Sequence, residues 1–401
     1  MGVVFSAFTL AYSIFEVPSG WMADTWGARR VLTRIVLWWS AFTMVTGAAW
    51  GFASLVAIRF LFGAGEAGAF PSVQRGFSRW FPAHERGRAN GLLFLGSRLG
   101  GALAPGLAFL LIRQWGWRTT FVVFGSIGVV WAFMWHRWFR DDPADHSAVE
   151  VDELAWIRQD VGPTGAEPAQ APTGAERVTA PQPAPHEPRD IPWRAILTSP
   201  NVYAICGMYF GFGYGLYFYF TWLPTYLTTA LGFSTLAGGL FAGLPFVFAG
   251  IADVAGGYLT DRLAAARGLK IARCALGSIA FLMCAGLLVA STIVGGSWTK
   301  AVLLALALAA ADLALSACWA VCLDIGKDYA GVITGMMNTF GNLGGAIGPI
   351  VVGYTLERWH SWTVPFYITA AVYTAGALFW LIINPYERVG RAGHASAEAA
   401  G

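Results

Sequence analysis

The stretch of sequence that decides the fold is residues 57–91, AIRFLFGAGEAGAFPSVQRGFSRWFPAHERGRANG. Its first half is apolar enough to lie in lipid, yet it carries Arg59 and Glu66, two helical turns apart on one face. Each charge costs roughly 2.5 to 3.5 kcal/mol at the centre of a membrane helix, so the pair must face a partner or a wet cavity. The two residues could form a structural ion pair, or Glu66 could bind and release a proton while Arg59 tunes it. We favour proton coupling, because ionisable residues inside spans usually mark ion or substrate paths.

The composition is that of a protein that crosses a membrane many times. Of the 401 residues, 56% are hydrophobic and only 12% are charged. Eleven apolar windows are close to the length of a membrane-spanning helix: residues 2–21, 31–53, 55–74, 89–111, 119–138, 201–228, 235–258, 272–294, 301–323, 331–353 and 364–383. We therefore predict an all-α, polytopic protein of the cell (inner) membrane.

No sequence pattern predicts a cofactor, a metal site or binding to nucleic acid. The six histidines show no metal-ligand spacing, and the Gly-Lys pair at residues 326–327 is not part of a phosphate-binding loop. The five cysteines lie in apolar runs and are interpreted as small core residues: Cys206, Cys274, Cys284, Cys318 and Cys322. We expect a monomer that is neither an enzyme nor an ATP-driven pump.

The basic residues are sorted between alternate loops, and this sorting predicts the topology. By the positive-inside rule, the richer set of loops is cytoplasmic. That set contains Arg29, Arg30, Arg34, Arg75, Arg79, Arg86, Arg88, Arg262, Arg267, Lys270, Arg273, Lys327, Arg388 and Arg391, whereas the opposite set contains Arg113, Arg118, Lys300 and Arg358.

A long polar segment divides the chain into two halves. Residues 162–188 are rich in Pro, Ala, Gly, Thr and Glu, which predicts a disordered stretch, and residues 145–158 have the periodicity of a short surface helix. The predicted units are a bundle at 1–139, a cytoplasmic linker at 140–199, a second bundle at 200–386 and a cytoplasmic tail at 387–401.

The two halves carry an internal repeat. The sequence LGGALAP at 99–105 recurs as LGGAIGP at 343–349, an offset of 244 residues, and Gly20-x-x-x-Asp24 recurs as Gly257-x-x-x-Asp261 at an offset of 237. Copies of this kind are typical of transporters whose two bundles rock about a central site. The repeat places the counterpart of the span at 201–228 before Met1, so we expect that a first helix is missing, through a misassigned start or a real truncation.

Arg98 is the clearest candidate for contact with a substrate. It lies opposite Asn342 in the repeat, and Asn338 lies one turn before Asn342. A buried guanidinium suits a carboxylate ligand, although Arg98 could instead pair with an acid on another helix, such as Asp312 or Glu66. Further candidates for the substrate site are Tyr12, Ser97, Tyr217 and Trp319, although single aromatic residues in spans are also common in packing. Asp253 is a further intramembrane acid without an assigned role.

A compact motif at residues 20–30, GWMADTWGARR, combines a tight turn, an acid near a helix end and two basic residues. These residue types can form a charge lock between neighbouring helices at a cytoplasmic gate. The candidate gate residues are Gly20, Asp24, Gly27, Arg29 and Arg30, with Gly257, Asp261 and Arg262 in the second half. The spacing Gly-x-x-x-Asp-x-x-Gly-x-Arg-Arg resembles the loop motif of the major facilitator superfamily.

Within that superfamily, the chain resembles the anion:cation symporter family, which includes bacterial sugar-acid transporters. The match rests on Arg59 to Glu66 and on the motifs AFP (69–71), WFP (80–82), ERG (85–87), WLPxYL (222–227) and AGxxxGxxN (330–338). The resemblance implies two pseudo-symmetric helical bundles and proton-coupled uptake of organic anions by alternating access. It also implies that Glu66 and Arg59 act in proton coupling and that Tyr12, Tyr217 and Asn338 contact the substrate.

Two departures from that family concern the site. The Asp-Arg pair of the family's first helix is absent, and Ser97 followed by Arg98 stands where a sugar-acid relative has glutamine. The sequence thus predicts a symporter of the major facilitator fold that imports a small organic anion with protons. The rival interpretations are a proton-driven exporter of drugs or metabolites, a non-transporting membrane sensor, and an inactive truncated fragment.

Overall fold

The computed structural model describes residues 2–158 and 191–389, and every regular element in these two ranges is helical. The prediction of an all-α protein is confirmed. The first half contains α1 (Gly2–Trp26), α2 (Ala28–Thr46), α3 (Phe52–Glu66), α4 (Ala69–Trp80) and α5 (Arg86–Trp138), and α6 (Val151–Ile157) and α7 (Trp193–Leu197) follow. The second half contains α8 (Pro200–Thr221), α9 (Leu223–Thr225), α10 (Thr235–Arg267), α11 (Leu276–Ile293), α12 (Ser297–Leu313), α13 (Leu315–Gly326), α14 (Ala330–Trp359) and α15 (Thr363–Ile382). The stretch 162–188, predicted to be disordered, lies outside the described residues.

Several predicted windows differ from the helices because hydropathy reports which residues lie in lipid, not where a backbone leaves the helical conformation. The window at 55–74 is divided into α3 and α4 at Gly68, whose φ is +85°. The window at 301–323 is divided into α12 and α13. Conversely, α5 covers two windows and bends at Gly116 (φ 79°). By length and composition, six helical stretches of the described residues could cross a membrane, so the count of eleven spans stays a prediction.

The largest core lies in the second half, where α8, α11, α13 and α15 meet. Phe281, Trp319, Tyr373 and Trp380 are fully buried there. Helix α5, in contrast, exposes large apolar side chains such as Leu103 and Phe109. Exposed apolar surface of this extent is expected where a helix faces lipid.

Helix α8 fits closely against α14 through glycines. A Cβ atom on Gly213 would overlap the carbonyl oxygen of Gly341, and one on Gly344 would overlap that of Phe210. The repeat relates α14 to the first part of α5. Helix α2 packs on the second part of α5, but among residues 2–158 no helix packs on the first part as α8 packs on α14. A cavity of 780 Å³ borders α5 instead, and we call it the first-half cavity. It is lined by Tyr12, Trp39, Glu66, Phe70, Ser97, Trp131 and Trp135, among others.

Replacement of Gly213 by alanine should destabilise the second half by about 1 to 3 kcal/mol, because the new methyl group meets a backbone oxygen that cannot move away. Thermal unfolding of the purified protein in detergent measures the effect. Gly286→Ala is the matched control, since nothing lies within 4 Å of its added Cβ. Equal melting temperatures for the two variants would contradict the close α8–α14 contact.

Candidate functional site

The two halves meet where a carboxylate of the first half accepts hydrogen bonds from the first turn of a helix of the second half. Asp24, at the end of α1, accepts hydrogen bonds from the backbone N–H groups of Gly331 and Val332 at 2.8 Å each. These groups belong to the first turn of α14, where the helix dipole favours a negative charge. Gly20 and Gly331 allow the approach, since a Cβ on Gly20 would overlap the carbonyl oxygen of Gly331.

The same arrangement recurs between α10 and α5. Asp261 accepts hydrogen bonds from the backbone N–H groups of Gly87 at 2.8 Å and Arg88 at 2.6 Å, in the first turn of α5. A Cβ on Gly257 would lie 2.5 Å from the carbonyl oxygen of Gly87. The internal repeat therefore places two equivalent contacts at one end of the molecule, each joining the first half to the second.

Buried arginines surround these two contacts. Arg75 lies 3.7 Å from Asp24 and donates to the carbonyl oxygen of Lys327 at 2.9 Å. Arg273, which is fully buried, lies 3.0 Å from Asp324 and 3.5 Å from Asp261. Arg86 also contacts Asp324, at 2.7 Å. We call this end of the molecule the basic end, and define it by the helical residues Arg29, Arg75, Arg88, Arg262 and Arg273.

The remaining predicted gate residues have other roles. Gly27 has a φ of +88° and lies against the carboxylate of Asp141, to which the backbone N–H of Arg29 donates at 2.9 Å. The side chain of Arg29 donates to the carbonyl oxygen of His136, so it joins elements of the first half. Arg30 and Arg262 are exposed. The sequence did not indicate that Arg75 and two helix N-termini are the partners of the motif's aspartates.

Removal of the Asp24 charge should favour opening of the basic end by about 1 to 3 kcal/mol, because two charge-assisted hydrogen bonds and the pairing with Arg75 are weakened. The variant Asp24→Asn is compared with the wild type by distance measurement between spin labels at the exposed positions 26 and 266. The five native cysteines are buried, which suits labelling of introduced cysteines.

We expect a longer distance to gain population in Asp24→Asn and likewise in Asp261→Asn. The exposed Glu357, far along the chain from either contact, supplies the charge control Glu357→Gln. An identical distance distribution in all four proteins would contradict the role of these carboxylates.

A cavity of 270 Å³ lies where the two halves face each other, and we call it the central cavity. It brings together four of the predicted substrate residues, Tyr12, Tyr217, Asn338 and Asn342. The other side chains that line it are mostly apolar or aromatic: Phe8, Thr9, Phe70, Tyr209, Phe212, Leu216 and Phe220. A few polar groups in an apolar wall are the usual composition of a small-molecule site.

Three predicted substrate residues do not line the central cavity: Ser97, Arg98 and Trp319. Trp319 is buried behind the cavity wall, where its indole N–H donates to the hydroxyl of Tyr209 at 3.1 Å. It thereby holds Tyr209, which does line the central cavity. Ser97 lines the first-half cavity, not the central one.

Glu16 is a residue of this site that the sequence analysis missed. It is fully buried on α1, and its carboxylate accepts hydrogen bonds from the amide groups of Asn338 and, at 3.4 Å, of Asn342. These bonds cross from the first half to the second. The repeat could have indicated Glu16, because it lies 237 residues before Asp253, the same offset that relates Asp24 to Asp261.

Arg98 pairs with two acids on other helices, which is the alternative left open by its sequence. Its Nε atom lies 2.5 Å from Asp253 Oδ2 on α10, and its Nη2 atom lies 2.8 Å from Asp312 Oδ1 on α12. Both aspartates are fully buried, whereas the Arg98 side chain is 19% exposed. The prediction of Asp312 as a possible partner is therefore confirmed, and Asp253 is a second one.

Glu66 is half-buried and lines the first-half cavity together with Tyr12 and Phe70, which also line the central cavity. Within the described residues, no ion pair of 4.0 Å or less joins Glu66 to Arg59. The Arg59 guanidinium instead lies 5.6 Å from the ring centre of Phe62. The short ion pair considered from the sequence is therefore not formed in this conformation.

A family comparison places the chain among known proteins. The sequence model of the family described as Major Facilitator Superfamily matches residues 1–349. The chain belongs to the Major Facilitator Superfamily. The predicted resemblance to this superfamily is confirmed.

Named relatives within the superfamily are similar over nearly the whole chain. The chain is 35% identical to the probable sulfoacetate transporter SauU of Cupriavidus necator, over 98% of this chain and 89% of that protein. It is 30% identical to the probable galactarate/D-glucarate transporter GudP of Bacillus subtilis, over 97% and 84%. Because these relatives are named as transporters, the prediction that the chain is not an enzyme is confirmed.

Two solved structures share the major facilitator fold with this chain. The proton:xylose symporter XylE gives a TM-score of 0.69 at 14% identity, over 98% of this chain and 88% of that one. The human organic anion transporter MFSD10 gives a TM-score of 0.66 at 15% identity, over 94% and 83%. The predicted fold of two helical bundles is confirmed by this similarity.

The contact between Glu16 and Asn338 should contribute about 1 to 2 kcal/mol of coupling free energy, because a buried carboxylate that loses its donor stays unsatisfied. A double-mutant cycle of Glu16→Gln and Asn338→Ala measures it from free energies of unfolding in denaturing detergent. The pair Glu357→Gln and Asn338→Ala is the control and should show no coupling. Additive effects of Glu16→Gln and Asn338→Ala would contradict the contact.

Proposed function

We propose that the chain is a secondary active transporter that imports a small organic anion together with protons, by alternating access between its two halves. The observation that carries this proposal is the central cavity, which is lined by residues of both halves, together with the contacts that join these halves at the basic end. Along α5, Gly87 and Gly91 lie against α10, and along α14, Gly331 and Gly335 lie against α1. A site between two halves that can rock against each other is what alternating access requires.

The positive-inside rule assigns the basic end to the cytoplasm. The contacts at the basic end then close the cytoplasmic side in this conformation. The linker and the C-terminal tail lie on the cytoplasmic side in this orientation, and the protein acts as a monomer in the cell (inner) membrane.

The size and polarity of the central cavity support a small anion as substrate. Its 270 Å³ lies near the lower end of the range of roughly 300 to 1,000 Å³ that is usual for small-molecule sites. The amides of Asn338 and Asn342 and the hydroxyls of Tyr12 and Tyr217 can bind a polar ligand. The partly exposed guanidinium of Arg98, outside the lining of this cavity in the present conformation, is proposed to supply the positive charge, and a positive charge favours an anion over a drug. Relatives named for sulfoacetate and for sugar acids suggest a carboxylate or sulfonate substrate.

Glu66 is proposed to carry the coupled proton. Glu66 lines the first-half cavity, which adjoins the central cavity because Tyr12 and Phe70 line both. No hydrogen bond fixes its carboxylate among the described residues, so it is free to exchange a proton with water in the first-half cavity. Arg59, two turns away on α3, tunes this exchange through its positive charge.

Glu66→Gln should lower accumulation of the anion against its gradient and retain exchange of internal for external anion, because glutamine cannot carry a proton. The measurement is uptake of labelled sulfoacetate and D-glucarate into proteoliposomes, with and without an inward proton gradient. Glu357→Gln is the matched control on an exposed glutamate and should behave as wild type.

Accumulation at the wild-type level by Glu66→Gln would contradict the role of Glu66 in coupling. Specific binding of the anion to the wild type without any flux would instead indicate a membrane sensor and would contradict transport itself.

A further inference from the structure

We infer that Arg98, Asp253 and Asp312 form a second proton site, separate from Glu66, which gains one proton when an anionic group of the substrate binds Arg98. This inference rests on the proposed function, since it concerns the same transport cycle. It adds residues and a proton that the coupling through Glu66 does not account for.

The three residues form one cluster across the interface between the halves. Arg98 belongs to α5 of the first half, whereas Asp253 and Asp312 belong to α10 and α12 of the second. The guanidinium lies 2.5 Å from one carboxylate and 2.8 Å from the other. Any separation of α5 from α10 must therefore break or exchange these contacts.

The cluster has one more acid than it has bases. Both aspartate side chains are fully buried, and Arg98 is the one cation within 4.0 Å of either among the described residues. Asp253 Oδ1 and Asp312 Oδ2 have no hydrogen-bond partner there. A buried carboxylate without a countercharge takes a proton rather than remain ionised. The cluster at rest therefore holds one proton, shared by the two aspartates, and is neutral.

The other side chains around the two aspartates add no further charge to the cluster. The titratable groups that face them from the packed helices are tyrosines and cysteines, which are neutral near pH 7. They are Tyr209 and Tyr219 on α8, Cys284 on α11, Cys318 on α13 and Tyr373 on α15.

The repeat offers a comparison that argues against a purely structural role. Glu16 and Asn342 are the counterparts of Asp253 and Arg98 at offsets of 237 and 244 residues. In that copy two amides hold the carboxylate and no cation is used. An acid at this interface can thus be held without an arginine. Arg98 lies outside the lining of the central cavity in this conformation, but its side chain is 19% exposed, so an anionic group can approach it.

The exchange conserves charge. The anionic group of the substrate replaces the ionised aspartate at the guanidinium, and the displaced carboxylate takes one proton from water on the same side. The incoming negative charge and the incoming proton cancel, so the buried site stays neutral. Lower pH therefore favours anion binding, up to tenfold per pH unit for one linked proton.

The shared proton is tested first in the purified protein, without any substrate. Infrared difference spectra between the wild type and Asp312→Asn or Asp253→Asn at neutral pH should show loss of one carbonyl band of a protonated carboxylic acid. In each variant the remaining carboxylate pairs with Arg98 and stays ionised. If neither substitution removes such a band, the cluster is fully ionised at rest and the inference is wrong.

The exchange is tested in a Glu66→Gln background, which removes the first proton site. Addition of sulfoacetate or D-glucarate to the weakly buffered protein should take up about one proton per bound anion, read with a pH indicator. Asp253→Asn and Asp312→Asn together should abolish the uptake and make the affinity independent of pH, whereas Glu357→Gln should leave both unchanged. Anion binding without proton uptake in Glu66→Gln would overturn the exchange, and so would proton uptake that persists after both aspartate substitutions.

Absence of anion binding to the wild type would overturn the proposed function together with the exchange. The infrared bands test separately whether Asp253 and Asp312 share a proton at rest.

Discussion

The structure depends on two buried carboxylates, each of which accepts hydrogen bonds from the first turn of a helix in the opposite half. Asp24 binds the start of α14 and Asp261 binds the start of α5, with glycines at both contacts allowing the backbones to meet. Because a helix N-terminus favours negative charge, each contact joins the halves without a long side chain. These contacts close the basic end along two interfaces, α1 with α14 and α5 with α10.

Along each interface, about two turns from the closing carboxylate, a second acid lies deeper in the molecule. Glu16 is bound by the amides of Asn338 and Asn342, whereas Asp253 is bound by Arg98. The repeat thus supplies two similar interfaces with different electrostatics. One holds its acid with amides, and the other contains a guanidinium with two carboxylates, which we propose makes it sensitive to protons and anions. Divergence of the two copies at one position would then couple the binding of protons to the binding of the anion.

Much of this arrangement could be predicted from the sequence. The apolar windows gave the all-α membrane fold, the repeat gave its two halves, and the gate motif gave Asp24 and Asp261. Tyr12, Tyr217, Asn338 and Asn342 were correctly expected to share one region, since they do line the central cavity. These predictions succeeded because they depend on periodicity, on repetition, or on a known motif.

The errors concern information that only the three-dimensional packing contains. Asp253, the second partner of Arg98, lies 155 residues away along the chain, so no local pattern identifies it. Glu16 is a single acid in an apolar run, and its meaning emerges only beside Asn338. The interruption at Gly68 follows from close contact with Ser19, which hydropathy does not report. Trp319 was expected to touch substrate, but it packs behind Tyr209.

The central claim is that movement of the anion and movement of protons are one process. It is tested most directly by imposing an inward gradient of the anion alone across proteoliposomes that contain the wild-type protein and an internal pH indicator. The account predicts that the lumen acidifies as the anion enters and that collapse of the anion gradient stops the acidification. Entry of the anion without any change in internal pH would contradict it.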